Sequence, residues 1–355
     1  MARYLLTKEE AFTYTRDLFM KAGVSEEDAS IVADNLVFAE LRGVYSHGLS
    51  RIGVYLRNFA NGGFNKAPKY RIIRETISAF SLDADGAPGA VVGTYAMKKC
   101  IEKAKTSGAC FGAVGNCNHY GMAGYYSMMA IPENMIGFSC CNALAVVAPY
   151  GGKDRFMGTN PFSVAIPTCE EHPFFYDGAT SVVAQGKVMV AVKEKRPIPL
   201  GWALDVDGNP TTDADRAFAG TMIPFGGYKG SNISMIVDII SSLLSNASIS
   251  SDITELNKNF DKCMDNGLFF GALNVEAFTD VEKFKKDVDA YIRRVKSTSP
   301  APGFEEILVA GEKEFRKLEE YSKTGFTIGA GVCAELDKLA EDYGVRKFER
   351  VEVEG

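Results

Sequence analysis

The sequence predicts an α/β protein of two lobes, one of them helical and assembled from both ends of the chain. Three observations predict it. The 355 residues exceed the size at which one hydrophobic core usually stops growing. Apolar residues recur at helical spacing near both termini. Between them, short β-like runs alternate with helical ones, the texture of an α/β lobe. The expected organisation is residues 1–72 and 281–355 as the two parts of the helical lobe, and 73–280 as the α/β lobe.

Each element has a local reason. Thr7 with Glu10 fits a capping box, and Gly23 closes the helix that follows. Ser25 with Asp28 opens a second helix, with Ile31, Val32, Leu36 and Ala39 as its apolar side, and Gly43 breaks it. Ser46 is suited to cap a third helix, in which Leu49, Ile52, Leu56 and Phe59 repeat until Asn61-Gly62-Gly63. Residues 77–82 read as a strand, 83–89 as a turn and 91–105 as a helix. Further strands are expected at 109–114, 136–141, 162–166, 174–176 and 269–274, with a helix at 182–194. Residues 231–244 are apolar almost all round, which suits a helix buried in the α/β lobe. From Val281 the pattern is helical again, with Val281, Phe284, Val288 and Ile292 on one face. A proline-containing loop at 297–303 precedes two amphipathic helices.

Composition excludes several classes. Apolar residues make up 46% and charged residues 24%, so neither disorder nor a fibrous fold is indicated. The net charge of -6 offers no electrostatic reason to bind nucleic acid or an anionic membrane. The most apolar stretch, 135–149, is too short to span a bilayer and contains Ser139, Asn142 and Pro149. The N-terminus lacks a signal peptide's apolar core. The 8 cysteines form no C-x-x-C pair, so reduced thiols in a cytoplasmic protein are the simplest expectation.

Of the 3 histidines, two lie in suggestive company. Ser46-His47-Gly48-Leu49-Ser50-Arg51 puts His47 and Arg51 at i and i+4, on one face if the segment is a helix. Imidazole exchanges a proton near neutral pH, and guanidinium clamps a carboxylate through two parallel bonds. A 2-hydroxy acid needs both: its hydroxyl proton leaves as hydride leaves the same carbon, and its carboxylate must be held. On spacing alone, a solvated polar helix face is the simpler explanation. Asn116-Cys117-Asn118-His119-Tyr120-Gly121 follows a strand, where α/β sheets place their sites, though a plain asparagine turn explains it equally well. His172 reads as an exposed turn without a role.

Gly158-Thr159-Asn160-Pro161 and Asp177-Gly178-Ala179-Thr180-Ser181 join strands to other elements. The second is expected to open the helix at 182, where free N–H groups suit a pyrophosphate, or where Thr180 or Ser181 is simply an N-cap. Gly226-Gly227-Tyr228-Lys229-Gly230-Ser231 opens the apolar helix, with Lys229 suited to a phosphate or ribose. Gly86, Gly89 and Gly93 have the wrong spacing for G-x-G-x-x-G, so the ordinary dinucleotide fingerprint is absent. Asp205-Val206-Asp207-Gly208-Asn209 reads as a hairpin turn and not a calcium loop. No cluster suggests a metal site.

Together these motifs resemble the malate/L-lactate dehydrogenase family that is unrelated to the Rossmann-type enzymes and that includes ureidoglycolate, sulfolactate and 2,3-diketogulonate dehydrogenases and some cyclic imino acid reductases. The ordered matches are Ser46-His47-Gly48 with Arg51, Asn118-His119-Tyr120-Gly121, Pro149-Tyr150-Gly151-Gly152 and Gly158-Thr159-Asn160-Pro161. After these come Asp177-Gly178-Ala179-Thr180, Gly201-Trp202-Ala203-Leu204-Asp205, Pro210-Thr211-Thr212-Asp213 and Gly226-Gly227-Tyr228-Lys229-Gly230. They span nearly the whole chain. The resemblance implies a non-Rossmann cofactor lobe with a mixed sheet, binding NAD or NADP, in a homodimer with active sites near the subunit interface. It implies a 2-hydroxy acid dehydrogenase of malate or L-lactate type. The alternatives are a cyclic imino acid reductase, or a ureidoglycolate, sulfolactate or diketogulonate dehydrogenase. His47 or His119 would be the acid/base, with His119 favoured for its place at a strand end. Arg51 would bind the substrate carboxylate, and Ser46 and Asn118 would line the pocket. Tyr176, Asp177, Gly178, Ala179, Thr180, Ser181, Lys229 and Gly230 would hold the cofactor, with Thr159 and Asn160 shaping its cleft. Ala143 stands where some members have serine, Asp238 where Glu is expected, and the linker 245–266 is irregular.

Overall fold

The computed structural model describes residues 3–353. The chain runs β1 (Arg3–Leu6), α1 (Lys8–Lys21), α2 (Glu26–Leu41), α3 (Ile52–Asn61), β2 (Arg71–Glu75), β3 (Ala79–Ala87), α4 (Gly89–Ser107), β4 (Ala109–Cys117), α5 (Gly124–Met128), β5 (Met135–Cys141), β6 (Phe162–Ile166) and β7 (Phe174–Gly178). It continues through α6 (Gln185–Lys193), β8 (Ala203–Leu204), α7 (Ala214–Ala219), β9 (Thr221–Met222), α8 (Tyr228–Asp238), β10 (Asn266–Asn274), α9 (Val281–Lys296), α10 (Glu312–Thr324), β11 (Phe326–Gly329), α11 (Ala330–Tyr343) and β12 (Val351–Val353). This is a mixed α/β architecture.

The main sheet has the order β2-β3-β4-β10-β5-β6-β7. Only β3 and β4 are parallel; the other neighbours are antiparallel, so the sheet is mixed. Its central strand β10 sets Phe270 opposite Gly112 on one side and Ser139 on the other. Helix α4 covers one face with Val92, Ala96, Met97 and Cys100, all buried against Leu268 and Phe270. A second core joins the two ends of the chain: Leu18, Leu36, Ile52 and Phe59 pack with Phe326, Leu336 and Phe348.

The three strands of a small second sheet had no signal in the sequence pattern, and neither did β2, β8 or β9. β1 lies between β11 and β12, pairing Leu6 with Phe326 and Arg3 with Val353. They are too short for alternation to show. The expected capping box is half formed. The Thr7 hydroxyl accepts from Glu10 N–H at 3.2 Å, but the Glu10 carboxylate turns to Arg346 and to the Glu349 N–H. The turn expected at 83–89 is instead a bulge within β3, with a register shift between Asp83 and Ala87. Asp205 does organise a hairpin turn, accepting from the N–H groups of Asp207 and Asn209.

The segment 231–244 is not buried all round. α8 passes into a π turn (Ile239–Leu243), and one side lies bare: Ile236 is 56% exposed, Ile239 52% and Leu243 58%. No helix among the described residues is long and apolar enough to cross a membrane, and no group of three metal-ligating side chains is assembled. All the cysteines are free.

Candidate active site

The turn that carries His47 and Arg51 is not an α-helix. Residues Tyr45–His47 and Leu49–Arg51 form two 3₁₀ turns, with Gly48 between them at φ -97° and ψ -144°. The cause lies beneath. The buried Glu40 carboxylate takes the Leu49 N–H at 2.9 Å, the donor that a continuing helix would give to Tyr45. A Cβ on Gly48 would stand 1.9 Å from that carboxylate oxygen. Ser46 therefore caps nothing: α3 begins at Ile52 with no side-chain cap. Its hydroxyl lies 2.9 Å from His47 Nδ1, and its carbonyl accepts from Arg51 Nε at 2.6 Å. The i, i+4 helix face is thus absent, yet His47 and Arg51 border the same cleft.

His119 arrives from the end of β4. Its Nδ1 lies 2.6 Å from the Tyr55 hydroxyl on α3 and accepts from the Gly121 N–H at 3.2 Å. Gly121 permits this return: its φ is +78°, and a Cβ there would meet Asn35 Oδ1 at 2.0 Å. The His47 and His119 rings stack with centroids 5.6 Å apart and 23° between planes.

The cleft between them, about 170 Å³, is lined further by Asn142, Thr159, Glu255, Leu256 and Asn266. Burial pushes the His47 imidazole down to about 3, with the Arg51 charge adding to the effect. Burial likewise holds His119 well below the usual histidine range, reinforced by Arg51 and His47. Both rings are neutral and Arg51 is the cation beside them. No carboxylate among the described residues pairs with it within 4.0 Å.

A second hollow of about 200 Å³ shares His47, Gly121, Thr159 and Pro161 with the first and adds Ser46, Asp177, Gly178 and Ala179. Asp177 accepts from Gly124 N–H at 3.1 Å, and burial raises its carboxyl to about 7, with Glu314 contributing. The Tyr176 ring packs against Phe162, with centroids 4.7 Å apart and 35° between planes.

Other candidates point elsewhere. Asn118 is fully buried; its amide donates to the carbonyls of Gly63, Gly86 and Ala87, and its oxygen accepts from Met264 N–H. It staples the turn and does not face the cleft. Asn160, also fully buried, spends its side chain on Ala143 N–H, Ser234 and Ser250. Thr180 donates to Thr159 O and Ser181 to Val183 O, so neither caps a helix; α6 starts later, at Gln185. Gly230 packs against the Phe225 carbonyl in the first turn of α8, and Lys229 beside it is exposed, outside both hollows. His172 stacks on Phe315 at 4.5 Å and pairs with Glu319 at 2.9 Å, and it lines neither hollow.

Sequence reasoning missed Tyr55, Glu40 and Asn266. Tyr55 and Asn266 meet partners 64 and 124 positions away, and Glu40 meets Leu49 beyond the end of its own helix, 9 positions on; no helix or strand period marks such contacts. Asn266 bears on a cofactor. Its amide donates to Asn142 O at 2.9 Å, while its buried Oδ1 at the cleft has no partner. A free buried acceptor fits a ligand with an N–H donor, such as a nicotinamide carboxamide.

Residues 6–337 match a family model described as malate/L-lactate dehydrogenase. The chain is 42% identical to a malate dehydrogenase from Pyrococcus abyssi, covering 97% of this chain and 96% of that one. It is 37% identical to an L-sulfolactate dehydrogenase from Methanocaldococcus jannaschii, covering 95% and 96%. The crystal structure of a malate dehydrogenase from Entamoeba histolytica superposes with a TM-score of 0.92 at 34% identity, covering 97% and 99%.

Proposed function

The chain belongs to the malate/L-lactate dehydrogenase family, and from that premise we propose that it moves a hydride between NAD or NADP and a small 2-hydroxy acid or its 2-keto partner, of malate or L-lactate type. One observation carries this reading: an Arg51 guanidinium that no carboxylate among the described residues pairs with stands over a cleft shared by two neutral, stacked imidazoles. Arg51, held through Nε, offers its two terminal nitrogens to a carboxylate. The imidazoles orient the substrate oxygen and exchange its proton. Ser46 borders this space. When bound, the nicotinamide cofactor supplies or takes the hydride.

The hollow at Ser46, Thr159, Asp177, Gly178 and Ala179 would hold the cofactor, with Tyr176, Thr180 and Ser181 forming its wall and Asn266 meeting the carboxamide. Lys229 and Gly230 would meet its outer part, and Asn160 would act by holding the cleft wall in place. The bare side of α8 supports a homodimer in which Ile236, Ile239 and Leu243 of two copies cover each other. A cytoplasmic setting completes the reading.

The test is a panel of oxaloacetate, pyruvate, sulfopyruvate and a cyclic imine, each with NADH and with NADPH, followed by loss of reduced-cofactor absorbance. Turnover of at least one 2-keto acid is expected. Turnover of the imine alone, or none with any pair, would overturn the proposal.

A further inference from the structure

We propose that Tyr55 and the Gly121 backbone lock His119 in the tautomer protonated at Nε2, which makes His119 a fixed N–H donor to the substrate oxygen and leaves proton transfer to His47. The kinetic half rests on the hydride-transfer reading above; the tautomer itself does not.

Two hydrogen-bond donors converge on one nitrogen, His119 Nδ1. A backbone N–H can only donate, so the 3.2 Å contact from Gly121 makes Nδ1 an acceptor. The Tyr55 hydroxyl, 2.6 Å from the same nitrogen and buried, has no other partner among the described residues, so its proton also points at Nδ1. Protonating Nδ1 would set an N–H against the Gly121 N–H and strand the tyrosine proton. The single ring proton of neutral His119 therefore sits on Nε2.

A neutral ring protonated at Nε2 has no lone pair there to receive a proton. It does present a preorganised donor where negative charge develops on oxygen during hydride transfer. His47 is placed differently. Its Nδ1 meets the Ser46 hydroxyl at 2.9 Å, a group that either donates or accepts. His47 is thus free to change tautomer and to gain or lose a proton at its other nitrogen. In the oxidative direction the substrate O–H bond breaks and its proton forms a new N–H bond on His47. The C–H pair leaves as hydride to the oxidised nicotinamide, and the carbonyl π bond forms while the oxygen keeps its hydrogen bond from His119. Reduction reverses each change. This inverts the sequence-based preference for His119 as the acid/base.

The test starts from the chain's 3 histidines. With histidine-selective ¹⁵N labelling, a long-range ¹H–¹⁵N correlation spectrum of the ligand-free full chain reads each tautomer directly, with His47→Gln and His172→Gln assigning the signals. His119 is expected to show the Nε2–H pattern throughout the neutral range. An Nδ1–H pattern would overturn the lock, whatever the substrate is. Tyr55→Phe should lower kcat about tenfold, the value of one lost hydrogen bond, with KM nearly unchanged; a change in KM alone would assign Tyr55 a merely structural role. The imidazole ionisation in the kcat–pH profile, which burial shifts to the acid side of the usual histidine range, should vanish in His47→Gln and persist in His119→Gln. The reverse result would return proton transfer to His119. Failure of the substrate panel leaves the spectrum readable, so the two proposals fail separately.

Discussion

Arg51 Nε donates to the Ser46 carbonyl oxygen at 2.6 Å, so the guanidinium is tethered to its own turn by the one nitrogen that a carboxylate fork does not need. Arg51→Lys keeps the charge and loses both the tether and the fork. We expect kcat/KM for a 2-keto acid to fall on the order of 100-fold or more, with unchanged thermal stability. Near-normal steady-state kinetics would return Arg51 to a solvated-surface role.

Glu40 makes stability depend on pH in a defined direction. Burial raises its carboxyl from an ordinary 4.5 to about 7, although the Leu49 N–H opposes the shift. Between those values the folded chain keeps a proton that the unfolded chain has released, so this group's contribution to stability falls as pH rises through the window. Glu40→Gln should match the parent near the lower end and exceed it above the upper end by about 1–3 kcal/mol. Urea unfolding across the range checks this; a difference that does not vary with pH would show that Glu40 ionises normally.

Asn160 is fully buried and uses its side-chain amide in both directions. Replacing it by alanine leaves Ala143 N–H and Ser250 without their acceptor. A loss of about 2–4 kcal/mol is expected in chemical denaturation. A loss under about 0.5 kcal/mol, within the surface-substitution range, would mean that other groups satisfy the network.

Lys229 stands exposed at the first turn of α8. If it meets a cofactor phosphate or ribose, Lys229→Ala should weaken reduced-cofactor binding by about tenfold, the scale of one charge-assisted bond. Calorimetry without substrate measures it. Unchanged affinity would make the Gly226 to Gly230 turn a helix entrance only.

The exposed row Ile236, Ile239 and Leu243 should hold two copies together. Ile236→Glu with Ile239→Glu is expected to shift the mass seen by light scattering from dimer to monomer. A monomeric parent protein would overturn the homodimer, and a double variant that stays dimeric would place the interface elsewhere.

The sequence by itself determined the elements whose causes are local. The hydroxyls of Thr7 and Ser25 cap their helices because a short side chain reaches only the next turn. The strand at Phe162–Ile166 follows its apolar run, and the ordered motifs from Ser46 to Gly230 sufficed to identify the family. What the tertiary structure decided depends on contacts that no helix or strand period marks, most of them between groups far apart in the chain. The His47–Arg51 segment reads as helix from its residues, but Glu40, rising from α2, takes the Leu49 N–H and breaks it into two turns. Residues 231–244 read as buried because apolarity records only that a side chain avoids water, not whether its own chain or a second copy supplies the cover. Asn118 reads as a pocket residue because motif position says nothing about side-chain direction; Gly63, Gly86, Ala87 and Met264 draw it inward. His119 acquires its hydrogen-bond partner from α3, 64 positions away. Hydrogen bonds are short-ranged in space but not in sequence, so a proton's location on that ring becomes definite only when the folded chain brings Tyr55 and Gly121 to the same nitrogen.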